Sequence, residues 1–283
     1  MGDEVREAEL HPWNQGFVWE RRRGPSRYLS EAQTAQFDDL GYVVVPDLFD
    51  AATVESVRAE TDRFEAEVDA GLQGVEGGRI AIAETGAITF STHLVTRSAE
   101  LAAFSRHPRL VDLGADLIGP DVRLYWDQAV YKKPEKPRRF PWHQDNGYAY
   151  VEPQQYLTVW VALTDATVDN GCPWVVPGAH LRGTLRHEYV DPLGYECLRD
   201  PAGAVPAEVP AGGAVVFSSL TPHLTGPNTT DQVRKAYILQ YSPSDATVLR
   251  GDPQAGPATG RVPADDPDRQ YEVLRAGSPV PPA

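Results

Sequence analysis

Pro141-Trp142-His143-Gln144-Asp145-Asn146-Gly147-Tyr148 decides how this chain of 283 residues is read. On extended backbone successive side chains alternate faces, so His143 and Asp145 point at one spot while Gln144 turns away. A third donor must come from another strand. His223, in Thr221-Pro222-His223-Leu224-Thr225-Gly226-Pro227-Asn228, is the best candidate. Two histidines and a carboxylate on one face of an octahedron leave the opposite face open, which suits a ferrous ion that must also take a cosubstrate and dioxygen. Downstream, Arg234 opens the strand-like run Lys235 to Tyr241. A buried arginine there offers a planar two-pronged partner for a carboxylate.

An H-x-D triplet alone arises by chance, and its weight comes from ordered neighbours. Tyr131-Lys132-Lys133-Pro134 leads into the H-x-D stretch. A second block joins Trp160-Val-Ala-Leu-Thr-Asp165 to Asn170-Gly-Cys-Pro-Trp-Val-Val-Pro-Gly-Ala-His180, and a third runs from Gly212-Gly-Ala-Val-Val-Phe217 to His223, Thr225, Asn228 and Arg234. Over approximately residues 35 to 243 the sequence resembles the phytanoyl-CoA dioxygenase family of Fe(II)- and 2-oxoglutarate-dependent oxygenases.

That resemblance implies His143, Asp145 and His223 as metal ligands and as the catalytic set, with Arg234 pairing the distal carboxylate of 2-oxoglutarate. Thr225 stands where the family often has a small hydroxyl residue near the cosubstrate. Gln128 and Trp174 match positions that contact 2-oxoglutarate in some relatives; the residues alone equally fit a strand glutamine and a core indole. His93 lies in a region where some relatives place a cosubstrate-binding side chain. The implied reaction consumes O2 and 2-oxoglutarate, releases succinate and CO2, and hydroxylates an unactivated C–H bond of a small organic molecule, such as a specialised metabolite. An intact Asp145 argues against halogenation, because related halogenases lack this carboxylate. Desaturation, cyclisation and epimerisation use the same cofactor chemistry and stay open. A non-catalytic jelly-roll binding protein is the rival from another class.

Other features carry less chemistry. Asn170-Gly171 and Pro177-Gly178 mark turns, so His180 reads as a structural histidine closing one of them. Tyr148, Tyr150, Trp126 and Phe140 could line an apolar pocket, although such aromatics more often fill a core. Lys132-Lys-Pro-Glu-Lys-Pro-Arg-Arg139 sets five cations before the H-x-D turn. The first expectation is a solvated connecting loop; the alternative is a rim drawing an anionic cosubstrate or substrate inward.

A net charge of -14 argues against a nucleic-acid partner, since phosphate backbones demand a basic surface. Two cysteines, Cys172 and Cys197, make no secreted-type disulfide framework. The charged opening Met1 to Arg6 has no signal-peptide core, and no run reaches membrane-span length. A cytoplasmic enzyme without a membrane or an obligate protein partner is expected.

Residues 1 to 29 are arginine-rich with scattered Trp13, Phe17 and Trp19, and read as a surface-wrapping segment. Residues 30 to 250 read as one mainly β domain with flanking helices, a double-stranded β-helix (jelly roll, cupin-like). Ser30 with Gln33 fits a capping box, and Asp50 caps a second helix. Residues 71 to 92, rich in glycine and alanine, read as a loop or lid. From 251 to 283 the Pro/Gly-rich tail reads as extended, docking only at Tyr271 to Leu274.

Overall fold

In the computed structural model, residues 8–22 and 24–281 are described, and the opening Met1 to Arg6 lies outside them. Helix α1 (Glu31–Leu40) begins at Ser30, whose hydroxyl accepts the Gln33 amide while the Gln33 side chain accepts the Ser30 amide. Strand β1 (Tyr42–Val45) precedes α2 (Ala51–Gln73), which is capped by Asp50 accepting from the Thr53 amide. The segment expected as a lid instead holds β2 (Arg79–Ile80), β3 (Ala83–Glu84) and β4 (Ile88–Thr92). Its glycines and alanines hide the alternating Ile88 and Phe90 that make β4 a sheet strand.

Next come α3 (Ala99–Phe104), α4 (Pro108–Leu117), β5 (Val122–Lys132), β6 (Val151–Glu152), β7 (Leu157–Ala162) and β8 (Pro173–Val175). Among the described residues the hairpin β9 (Glu188–Val190) and β10 (Gly194–Glu196) pairs only with itself. Then follow β11 (Val205–Pro206), β12 (Ala214–Ser218), β13 (His223–Thr225), β14 (Arg234–Pro243), β15 (Thr247–Arg250), β16 (Gly260–Pro263), β17 (Glu272–Arg275) and β18 (Ser278–Pro279).

The large sheet runs β1-β12-β7-β14-β5-β4-β3-β2, and the small one runs β11-β8-β13 with His143 bridged to His223 at its edge. Alternation divides the large sheet into two faces. Tyr131, Val159, Val161, Val216, Tyr237 and Leu239 share a core cluster with Phe37, Val57, Phe64, Leu101 and Leu113 of the helices. Val130, Trp160, Val215, Phe217, Ala236 and Ile238 gather on the other face with Cys172 and Trp174 of the small-sheet side. Two sheets facing each other in this order make a jelly roll, and the site lies between them.

Trp19, residues 27 to 29 and strands of the tail pack against this body. The Arg27, Tyr28 and Leu29 amides donate to the buried Asp116 carboxylate, and the Trp19 indole donates to Asp38. In the tail β17 docks on β5, and β16 adds a second anchor on β15 that its glycine-rich sequence did not announce. No helix among the described residues is long and apolar enough to cross a membrane.

Candidate active site

The H-x-D turn is held by hydrogen bonds on every side. The His143 and His223 backbones exchange N–H···O bonds of 2.9 and 2.8 Å. Gln144, turned away from the site and fully buried, donates to the Gly183 and Leu220 carbonyls at 3.0 and 2.6 Å and accepts from the Leu185 amide at 2.6 Å. Its own amide, between the two candidate ligands, donates to His187 Nε2 at 2.9 Å. The His187 ring lies so near Gly147 that a Cβ there would fall 2.0 Å from it, so the turn takes only glycine at this position.

His143, Asp145 and His223 present donor atoms that all lie within 4.8 Å of one another. Asp145 Oδ1 is 3.9 Å from His143 Nε2 and 3.8 Å from His223 Nε2. The opposite ring nitrogens face carbonyls: His143 Nδ1 lies 2.9 Å from Pro141 O, and His223 Nδ1 3.0 Å from Thr221 O. Protons on both Nδ1 atoms leave both Nε2 lone pairs aimed at the common point, a standard way of orienting metal-binding imidazoles. Burial lowers His143 to about 3, helped by His223, and His223 to about 4. Both rings are therefore neutral near pH 7, as ligation requires.

Burial also raises the Asp145 carboxyl, against the pull of His143 and of hydrogen bonds from Thr158 and Gln240. Thr158 Oγ1 donates to Asp145 Oδ2 and accepts from Gln240 Nε2 at 3.4 Å. Thr158 and Gln240 are cross-strand partners on β7 and β14, and this relay went unnoticed in the sequence. Phasing each strand by alternate residues would have placed both on the inner face.

Arg234 lies on that same face of β14, 1 % exposed. Its guanidinium sits 4.9 Å from the centre of the Trp160 ring, and Nη1 donates to the Val130 carbonyl at 3.3 Å. Nε and Nη2 have no hydrogen-bond partner. Burial lowers its pKa to about 9. Beside it in register stands Lys132, also buried, whose ammonium donates to the carbonyls of Arg138, Thr225 and Gly226 at 2.8, 2.9 and 2.5 Å. Lys132 is thus a buried tie between loops, contrary to the solvated loop expected for the cationic run.

The remaining candidates are distributed unevenly. Gln128 faces inward on β5 and accepts from the Trp126 indole at 3.2 Å; the His93 ring meets Trp126 at 4.2 Å, with Nδ1 buried and unpartnered. Thr225 is half-buried on β13, two residues past His223 and on the same face. Trp174 pairs in register with Leu224 and packs against the same inner cluster as Trp160, whose ring is the one 4.9 Å from the guanidinium. His180 lies apart, edge-on to Trp19 at 4.5 Å.

The sequence profile described as phytanoyl-CoA dioxygenase matches residues 37–236. The chain belongs to the phytanoyl-CoA dioxygenase family. Phytanoyl-CoA dioxygenase domain-containing protein 1 of Bos taurus is 32% identical over 133 residues, covering 44% of this chain and 46% of that protein. The chain thus spans about half the length of that family member. A methylphosphonate hydroxylase of Gimesia maris is 26% identical over 232 residues, 76% of this chain and 81% of its own. Among solved structures, the non-heme alpha ketoglutarate dependent carbocyclase SnoK from nogalamycin biosynthesis superposes with a TM-score of 0.66 at 26% identity, covering 80% of this chain and 89% of that one.

Proposed function

We propose that this family member is a non-haem Fe(II)- and 2-oxoglutarate-dependent oxygenase that hydroxylates an unactivated C–H bond of a small organic molecule. One observation carries the reading: two unmatched buried charges share the inner face of the jelly roll. Among the described residues Asp145 is faced by two neutral imidazoles and no cation, and Arg234 has no anion and leaves Nε and Nη2 without a partner. Buried charges left unpaired cost several kcal/mol each, so the donor set suits a cation beside Asp145 and the unpartnered guanidinium nitrogens suit an anion beside Arg234.

The donor set fits iron: two imidazole nitrogens and one carboxylate, with a face left for other ligands. His143, Asp145 and His223 would hold it, and Arg234 would fix the far carboxylate of 2-oxoglutarate by a charge-assisted pair. When bound, iron with 2-oxoglutarate supplies the oxidising power, drawn from O2 with release of succinate and CO2. The protein's own part is orientation and exclusion of water. Thr158 and Gln240 fix which Asp145 oxygen faces the metal point, Trp160 backs the guanidinium, and the apolar inner face keeps water from the reacting centre. Cyclisation is a second reading, supported by the likeness to a carbocyclase.

The test is spectroscopic. Anaerobic Fe(II)-loaded protein mixed with 2-oxoglutarate should show the visible metal-to-ligand charge-transfer band of a chelated keto acid, and His223→Ala should lose it. Absence of the band in protein verified to contain iron would point to a cosubstrate-independent enzyme or a binding protein.

A further inference from the structure

Among the described residues, a run of exposed tyrosines starts beside the candidate metal ligands. The Tyr148 ring meets the His143 ring edge-on at 5.5 Å, Tyr195 meets Tyr148 at 5.4 Å, and Tyr189 meets Tyr195 at 5.5 Å. Each contact is T-shaped, and Tyr189 and Tyr195 are cross-strand partners on β9 and β10. Tyr148, Tyr189 and Tyr195 are nevertheless 42%, 52% and 40% exposed. The hairpin approaches the H-x-D turn closely at its own turn end, where a Cβ on Gly194 would fall 2.9 Å from the Tyr148 hydroxyl and 3.2 Å from Ile82; its φ of +109° also demands glycine. Rigid tyrosines present large contact area at low entropic cost, and an exposed cluster of them adjoining a site marks a recognition surface.

The charges around this wall say what kind of molecule it takes. A coenzyme A thioester brings phosphates that need free cations, and the cationic run before the H-x-D turn is the natural place to seek them. Each of its five cations is engaged within the protein. Lys132 is tied to three carbonyls, Lys133 pairs with Glu65 at 2.7 Å, Lys136 and Arg138 both pair with Glu84 at 3.0 and 2.8 Å, and Arg139 pairs with Glu196 at the foot of β10 at 2.8 Å. With a net charge of -14 over the chain, the field does not favour a polyanion.

We propose that the substrate is an uncharged, flat, largely apolar ring system that packs against Tyr148, Tyr195 and Tyr189, and that acyl-coenzyme A thioesters are not substrates. The inference rests on the oxygenase reading above and names its substrate class.

The experiment uses the full chain loaded with Fe(II) and 2-oxoglutarate, without oxygen. Equilibrium dialysis would compare a neutral dihydroxyanthraquinone, palmitoyl-coenzyme A and ectoine, the last a small zwitterion. The ring system should bind tightest. Tyr189→Ala and Tyr195→Ala should each weaken it about ten-fold, and Tyr195→Phe should keep it, with unchanged circular dichroism in all three. Tighter binding of the thioester or of ectoine, or ring binding unmoved in the double alanine variant, overturns the proposal. The charge-transfer band is read on the same samples. A band without ring binding removes this inference and spares the oxygenase reading; no band in iron-verified protein removes both.

Discussion

The H-x-D turn and the β9–β10 hairpin touch at Tyr148 and Gly194, yet opposite rules build them. In the turn, the Gln144 amide and every polar atom of its side chain are hydrogen bonded to the protein, and a histidine ring fills the space beside Gly147. Among the described residues the hairpin pairs with no other strand, and it turns two tyrosines toward solvent. A two-stranded ribbon is marginal by itself. Catalytic constellations must be held to within about 0.5 Å, and the proposed recognition of a substrate needs accessible surface. On the proposed function the molecule separates two tasks: braced donors on the buried side, exposed rings on the open one.

The contrast breaks first at Asp145. Asp145→Ala should abolish ferrous binding and turnover while leaving the melting transition in place, because the variant also removes a buried unpaired carboxylate. Iron content and product formation decide it; retained metal and turnover would reduce the turn to architecture. Arg234→Met comes next. The 2-oxoglutarate concentration for half occupancy should rise about 100-fold, and the cosubstrate-free protein should be at least as stable to urea, since an unpaired guanidinium next to Lys132 is gone. An unchanged cosubstrate requirement would mean that another cation binds the distal carboxylate.

The architecture was legible wherever the pattern was local. The Ser30 capping box, the Asp50 cap and the long strands from 122 to 132 and from 234 onward follow from residue order alone. The approach of His143, Asp145 and His223 was foreseeable because spacing and alternation fix it once the sheet exists. What escaped was set by partners far away in sequence. Lys132 reads as one cation in a basic run until the Thr225 and Gly226 carbonyls close on it. Thr158 and Gln240 are ordinary strand residues until cross-strand register joins them to Asp145. Trp160 and Trp174 carry the same side chain, and only the folded structure shows that Trp160 lies under Arg234. β4 was missed because glycine and alanine mask its short alternation.

Thr158→Val sharpens the comparison at moderate cost. The swap keeps shape and removes the donor to Asp145 Oδ2, so the carboxylate loses its orientation but not its place. Ferrous affinity should fall about ten-fold or more, in the range for supporting groups around metal sites. Competition against a calibrated chelator would measure it. The same substitution should leave ring binding at the hairpin intact; a parallel loss there would show that the two regions are one mechanical unit.

The smallest effect is in stability against pH, and it too divides the molecule. Burial lowers His187 to about 3, and His180 and His11 to about 4, from an ordinary 6.5. Between 6.5 and about 4 the unfolded chain therefore binds protons that the folded chain refuses, so stability rises with pH across this window and is lost as pH falls through it. Asp127 works the other way, because burial raises it to about 6 and its protonated form favours the folded state. A difference measurement isolates the brace. His187→Gln keeps an acceptor for the Gln144 amide and removes one titrating ring, so its urea midpoint should fall less steeply than that of the parent from pH 6.5 to 4. Tyr189→Ala, on the open side, should keep the parental slope. Equal slopes for His187→Gln and the parent would show that His187 is not held neutral against the turn, and the fixed side of the site would need another anchor.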